Sequence, residues 1–197
     1  MRTPGSQNRA TPEKRSRILQ ISLELFLSSG LSGTTLDQIC AAAGISRSSF
    51  YHQFASKEAV AVALYSEAIG EIHQSIRTSL GADLRLGLEG LLRAYLDWFE
   101  AHPARGAFVW RVMGSELLTE HIAAVAEQQR LFHQEVIDWL EPFVVRGEAR
   151  RLRASVLVAL VIGPARDFVR AGGGDFESAR VEFSRAAYAV IAVPADS

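Results

Sequence analysis

The 197-residue chain reads as an all-α protein. Three observations predict this. Apolar residues recur at helical spacing, as in Leu84, Leu88, Leu91, Tyr95 and Trp98. Strand-like alternation and internal repeats are missing. Helix start and stop signals punctuate the chain throughout. The boundaries they set are a disordered arm over residues 1–10, a small three-helix head over 11–55 and a larger helical body over 56–197.

The elements follow in order. Thr11-Pro12-Glu13 is a helix start, with a capping hydroxyl, a proline at the first helical position and an acid facing the dipole. Ile18, Ser22, Leu25 and Phe26 keep helical spacing until Gly30 ends the run. Thr35-Leu36-Asp37-Gln38 fits a capping box, hydroxyl first and glutamine three residues on. That helix reaches about Ala43, Gly44 breaks it, Ile45 plugs the turn and Ser46 caps the next. The third helix is short, because Phe54-Ala55-Ser56 intervenes before a fourth runs from Ser56 to about Leu80. Beyond Gly81 the pattern predicts helices over 84–101, 104–114, 117–145 (with Pro142 as a place for a bend), 152–171 and 175–192.

Composition bounds the function. The formal net charge is −1, so no global field marks the partner. The distribution is uneven. Residues 1–60 hold seven Lys/Arg against four Asp/Glu, and residues 61–197 fourteen against eighteen, a mildly basic head on an acidic body. The lone cysteine, Cys40, rules out a disulfide within the chain and reads as a small buried thiol. The basic N-terminus lacks a signal-peptide apolar core, and the longest apolar run, "VLVALVIGPA", is too short to span a bilayer. A cytoplasmic protein without a membrane partner is the expectation. His73, His102, His121 and His133 show no metal-ligand spacing, and neither a metal nor another cofactor is expected.

The third helix has little apolar surface to bury. Two helices joined by a tight glycine turn, the second opening on serine, form a helix-turn-helix. A recognition helix enters the major groove of DNA, so its outer face must be polar. Ser46, Ser48 and Ser49 are small enough to let the backbone approach. Arg47 can fork onto a guanine edge or a phosphate, while Tyr51, His52 and Lys57 can donate to phosphates. Phe50 and Phe54 point the other way, into the scaffold.

In detail the head resembles the TetR family of transcriptional regulators. The resemblance rests on Ile18-Leu19, Phe26 to Gly30, Thr34-Thr35, Ile39-Cys40, Ala43-Gly44-Ile45-Ser46, Phe50-Tyr51-His52-Gln53-Phe54 and Ser56-Lys57-Glu58. Cys40 stands where alanine is usual, Ser48 where glycine is frequent and Gln53 where histidine is often found. The resemblance implies a homodimer on double-stranded operator DNA, each subunit inserting helix 46–52 into a major groove. It implies that Thr35, Lys57 and Tyr51 hold phosphates. Arg47 and Ser48 are then the best base-contact candidates, with Ser46, Ser49 and His52 between the two roles. The basic arm (Arg2, Arg9, Lys14, Arg15, Arg17) adds minor-groove or phosphate contacts or serves as a solubilising tail.

For the body the family pattern is looser. It implies a ligand-binding and dimerisation unit that responds to a small-molecule effector. The candidate lining is Tyr95, Trp98, Phe99, His102, Phe108, Trp110, Met113, Phe132 and Trp139, apolar and aromatic, which favours a hydrophobic or aromatic effector. Ser155, Ala159, Gly163 and Arg166 on one helix and Phe183, Ala187, Val190 and Ile191 on the next are the candidate dimer interface, the alternative being that both stripes join the protomer's core. The expected function is a dimeric regulator, a repressor released by its effector. Alternatives are an activator and an effector-free architectural or division-related DNA-binding protein. An enzyme using Glu116, His121 or His133 lacks any nucleophile–base pairing and is not expected.

Overall fold

The structure, a computed structural model, describes residues 7–113 and 122–193. Among the described residues there are nine helices: α1 (Gln7–Gly33), α2 (Leu36–Ala43), α3 (Arg47–Tyr51), α4 (Lys57–Ser79), α5 (Leu84–Ala101), α6 (Pro103–Met113), α7 (Ile122–Val145), α8 (Ala154–Arg170) and α9 (Phe176–Ile191). No strand forms among them. A single antiparallel bridge joins Ala149 to Ala192. None of these helices is long and apolar enough to cross a membrane.

The expected elements are present among the described residues, with two differences: the helical backbone breaks at Gly30 (φ 74°, ψ 164°), as expected, but a further turn carries α1 on to Gly33, and the start of α1 differs. Helix α1 begins at Gln7, inside the expected arm, and Pro12 sits within it rather than at its first turn. Gln, Arg and Ala in this stretch are good helix formers, and the helix continues through the proline at the loss of one backbone hydrogen bond. Residues 1–6, 114–121 and 194–197, with Arg2, Glu116 and His121 among them, and the side chains of residues 7–11, Ala154 and Ser155 lie outside the described residues.

The chain divides into two units. The first comprises residues 7–68 and 104–113 of the described chain. Its core is Ile18, Phe26, Ile39, Phe50, Phe54 and Val60, all buried. Helix α6 closes it: Phe108 stacks on Phe26 at 6.0 Å, and Arg111 donates to the carbonyls of Phe26 and Leu27.

The second unit comprises residues 69–103 and 122–193, with α5 as its central helix. Leu88, Leu91, Leu92, Tyr95, Leu96, Trp98 and Phe99 bury α5 around much of its circumference, and α8 and α9 pack against it. Two indoles are fixed by their N–H groups, Trp98 to Glu71 Oε2 at 3.1 Å and Trp139 to the carbonyl of Gly81 at 2.8 Å. Gly87 faces the ring of Trp139 so closely that a Cβ there would overlap it. Arg180 on α9 clamps α5 through Asp97 at 2.7 Å and Glu100.

Two outcomes are expected. Gly87→Ala, forced against an indole that its hydrogen bond holds in place, lowers stability by roughly 1–3 kcal/mol or more, measured by chemical denaturation. The second concerns His73, which is buried, stacked on Phe132 at 3.8 Å and unpaired at Nδ1. Burial, with the positive charges of Arg77 and His133 adding to it, pushes its pKa down from 6.5 to about 4. The folded imidazole stays neutral where the unfolded one is protonated, so the unfolded state binds more protons between those values. Stability therefore falls as pH is lowered from about 6.5 towards 4, by up to roughly 3 kcal/mol. Denaturation midpoints of His73→Gln across that window should show a flatter profile than the parent; an unchanged profile would refute the assignment.

Candidate nucleic-acid interface

Short-range chemistry builds the helix-turn-helix. The Thr35 hydroxyl accepts from the Gln38 backbone N–H at 3.2 Å, and Gln38 Oε1 accepts from the Thr35 backbone N–H at 2.7 Å. This is the expected capping box. Gly44 adopts φ 64°, ψ 40°, and its N–H and that of Ile45 return to the carbonyls of Ala41 and Cys40. A left-handed residue there suits glycine, which has no Cβ to clash. Ser46 caps α3 by accepting from the Ser49 N–H at 3.1 Å. Ser56 does the same for α4, accepting from the Ala59 N–H at 3.1 Å.

Helix α3 is five residues long and held by its inner face. Phe50 is fully buried, Phe54 nearly so, and their rings lie 6.1 Å apart. The outer face carries Ser46, Arg47, Ser48, Tyr51 and His52, all exposed, with Ser49 half-buried. Cys40 is buried beneath, and burial pushes its thiol pKa up, as an inert packing residue requires.

Besides Ser46, whose hydroxyl accepts from the Ser49 N–H, three of the expected DNA contacts already have partners within the protein. The Thr35 hydroxyl also donates to Gln38 Oε1 at 3.1 Å, so its proton is spent in the cap. Lys57 Nζ donates to the carbonyls of Leu31 at 2.8 Å and Thr34 at 2.7 Å, with its side chain only 23% exposed. It ties the end of α1 to the start of α4, and the carboxylate of Glu58 lies 4.0 Å from the same ammonium. Arg47 forks onto Asp37, Nε to Oδ1 at 2.7 Å and Nη2 to Oδ2 at 2.5 Å. The guanidinium holds the Asp37 carboxyl below its ordinary pKa.

Of the basic arm, Arg15 pairs with Glu67 at 2.6 Å and covers the Phe54 ring, which assigns it to the scaffold. Arg17 and Lys14 are exposed, and the Arg17 guanidinium lies beside the α2–α3 turn at Gly44. Sequence reasoning missed Asp37, whose sole signal was a position inside the capping box. It also missed Thr34, whose buried hydroxyl donates to the Gly30 carbonyl at 2.7 Å.

The expected effector-lining residues lie on several elements of the two units. Tyr95, Trp98, Phe99 and His102 stack on one another along α5, with neighbouring ring centroids about 5 Å apart. Phe132 and Trp139 border a different space, a wholly apolar crevice of about 20 Å³ among α5, α7 and α8, completed by Leu88, Leu91, Val136 and Val161. Phe108, Trp110 and Met113 belong to the first unit, where Phe108 is core and Met113 is exposed.

The expected interface residues also separate. On α8, Ala159 and Arg166 are exposed, and a Cβ on Gly163 would meet open space. On α9, Val190 is 37% exposed, but Ala187 and Ile191 are buried and Phe183 packs on Phe168 at 5.8 Å. The α9 stripe therefore faces the protomer's own core, because α9 lies against α5. The exposed apolar residues nearby are Val156 and Leu160 on α8 and Val181 and Tyr188 on α9.

Comparison with known proteins places this architecture. The family model of bacterial regulatory proteins, tetR family, matches residues 18–64. The HTH-type transcriptional regulator RutR of Escherichia coli is 35% identical over 69 residues, which cover 35% of this chain and 32% of that protein. The alignment thus spans about a third of that relative's length. The transcriptional repressor KstR2 of Rhodococcus jostii is 26% identical over 149 residues, covering 75% of this chain and 73% of its own. The fatty acid degradation regulator FadR from Bacillus halodurans shares the fold, with a TM-score of 0.74 over 95% of this chain and 96% of its own at 17% identity. With its capped, glycine-turned helix pair presenting a polar α3, the chain is similar over residues 18–64 to bacterial regulatory proteins of the tetR family, and its all-helical architecture shares the fold of solved regulators.

Proposed function

We propose that the protein is a homodimeric repressor that binds double-stranded operator DNA through α3 and is released by a small apolar or aromatic effector. The observation that carries the reading is the division of α3 into a buried aromatic inner face and an exposed polar outer one. Such a helix is rigid enough to enter a major groove and has no other surface to offer. Tyr51, His52 and Lys57 meet phosphates, while Arg47 and Ser48 meet base edges. Two heads bound to one operator require two chains, so dimerisation belongs to the same reading. The outer face of α8, with Val156, Ala159, Leu160 and the open side of Gly163, suits close packing of a second copy. The cytoplasm, where DNA is accessible, is the site of action.

The effector reading rests on the apolar crevice and on relatives whose names describe a repressor and a fatty acid degradation regulator. At about 20 Å³ the crevice is far below ligand size, so an effector must open it. Opening that favours a DNA-incompetent state lowers operator affinity, and the coupling is reciprocal. The same small volume favours a second reading, a regulator with no small-molecule effector.

On duplexes selected from a random pool, fluorescence anisotropy is expected to show sequence-dependent binding that weakens steeply with salt. Tyr51→Phe weakens every sequence alike, by about tenfold. Lys57→Ala lowers both affinity and the melting temperature of the head, since its ammonium caps α1. Binding blind to sequence would remove the regulator reading. Sedimentation of Leu160→Glu should show monomers with operator affinity largely lost, whereas an intact dimer would move the interface elsewhere. A thermal-shift screen of acyl, steroid and aromatic compounds decides between the effector readings.

A further inference from the structure

We infer that Asp37 is a specificity-determining residue, which pins Arg47 from behind so that the free edge of its guanidinium reads a guanine. The inference rests on the proposed entry of α3 into the major groove. A guanidinium carries five N–H donors arranged as two forks, one formed by Nε and Nη2 and the other by Nη2 and Nη1. Asp37 occupies the first fork, at 2.7 and 2.5 Å. The second fork is the edge that matches O6 and N7 of guanine. The ion pair therefore orients Arg47 for base readout without consuming the donors that readout uses.

The alternative destination for an arginine on this face is a phosphate. A free side chain on a flexible stem can swing to the backbone, which rewards charge regardless of sequence. Arg47 is 64% exposed, so packing does not restrain it, and the Asp37 fork is its polar anchor in the structure. Asp37 is itself fixed in the first turn of α2 by the Thr35–Gln38 capping box. The carboxylate thus stands on a rigid element, and the entropy of ordering Arg47 is met before DNA arrives. A carboxylate on a surface that approaches phosphates also repels them, a cost that suits discrimination better than affinity.

The test is selection from random duplexes followed by anisotropy, with the full chain and the variants Asp37→Asn, Asp37→Ala, Arg47→Ala and Asp37→Asn with Arg47→Ala. Melting temperatures taken alongside identify any variant whose head is unfolded, and Asp37→Asn, nearly isosteric, keeps the test open if Asp37→Ala unfolds. Expected is a loss of about tenfold or more in preference at one base pair per half-site in both Asp37 variants. Affinity for the best sequence stays within a fewfold and the salt slope is unchanged. Arg47→Ala flattens the same base pair, and the double variant adds nothing further. A merely structural role for Asp37 would weaken all positions together. Three results overturn the inference: an Asp37→Asn profile identical to the parent, a uniform gain in affinity with a steeper salt slope (Arg47 then serves phosphates), or sharpened specificity (Asp37 then holds Arg47 away from DNA). Loss of sequence preference in the parent chain itself would instead remove the regulator reading, and this inference with it.

Discussion

The structure of the head depends on the burial of one side chain, Phe50. A helix of five residues has almost no intrinsic stability, because nucleation consumes most of the backbone bonds it can make. Ser46 caps its start and the carbonyl of Phe50 accepts from the N–H groups of Gln53 and Phe54 at its end. These local bonds shape the segment but do not hold it to anything. Phe50 does that, fully buried, with Phe54 and Ile39 around the same core. Because the anchor is a single aromatic residue facing inward, nearly every other position of the segment is free to be polar. The polar outer face proposed to read DNA is available because so little of α3 is spent on folding.

What was legible in the sequence was local. The capping box at Thr35, the glycine at 44 and the serines at 46 and 56 each act within four residues, and each acts as read. What was not legible depends on partners far along the chain. Lys57 finds the carbonyls of Leu31 and Thr34, and Arg111 those of Phe26 and Leu27; neither pairing has a sequence signal. The α9 stripe illustrates the limit of periodicity. Of the expected stripe Phe183, Ala187, Val190 and Ile191, Ala187 and Ile191 are buried and Val190 is exposed; an apolar face does not say which neighbour it meets, and α9 here lies against α5. The same holds for the aromatic residues of the body: helical spacing groups residues along an element, while a crevice such as that beside Phe132 and Trp139 is assembled across elements.

Besides the Arg180 clamp, the body relies on close approach. Gly87 admits the Trp139 indole to the surface of α5, and the indole N–H is satisfied by the Gly81 carbonyl. This brings Trp139 to the edge of the apolar crevice, beside Phe132. Phe132 in turn lies flat on His73, a buried imidazole with an unpaired nitrogen. An unpaired buried polar atom costs stability, and a tightly packed apolar wall beside it has few ways to compensate. The packing around this crevice is therefore not fully satisfied, which lowers the cost of opening it under the proposed effector reading.

The head and the body treat polarity in opposite ways, and the difference follows from what each has to do. In the head, Thr35, Arg47 and Lys57 are each hydrogen-bonded within the protein before any partner arrives. Each retains something to offer: an ordered helix start, a free guanidinium edge, an ammonium charge. Such groups gain less from DNA than unpaired ones would, since some of their donors are already spent. They also lose less, because their geometry is set in advance. Affinity for a polyanion comes readily from any exposed cation, and the exposed Lys14 and Arg17 can supply it. Discrimination between sequences comes from groups that are unable to relocate. If Arg47 reads a base as proposed, a head with a modest excess of positive charge and with that arginine held by a carboxylate favours the second task at some expense to the first.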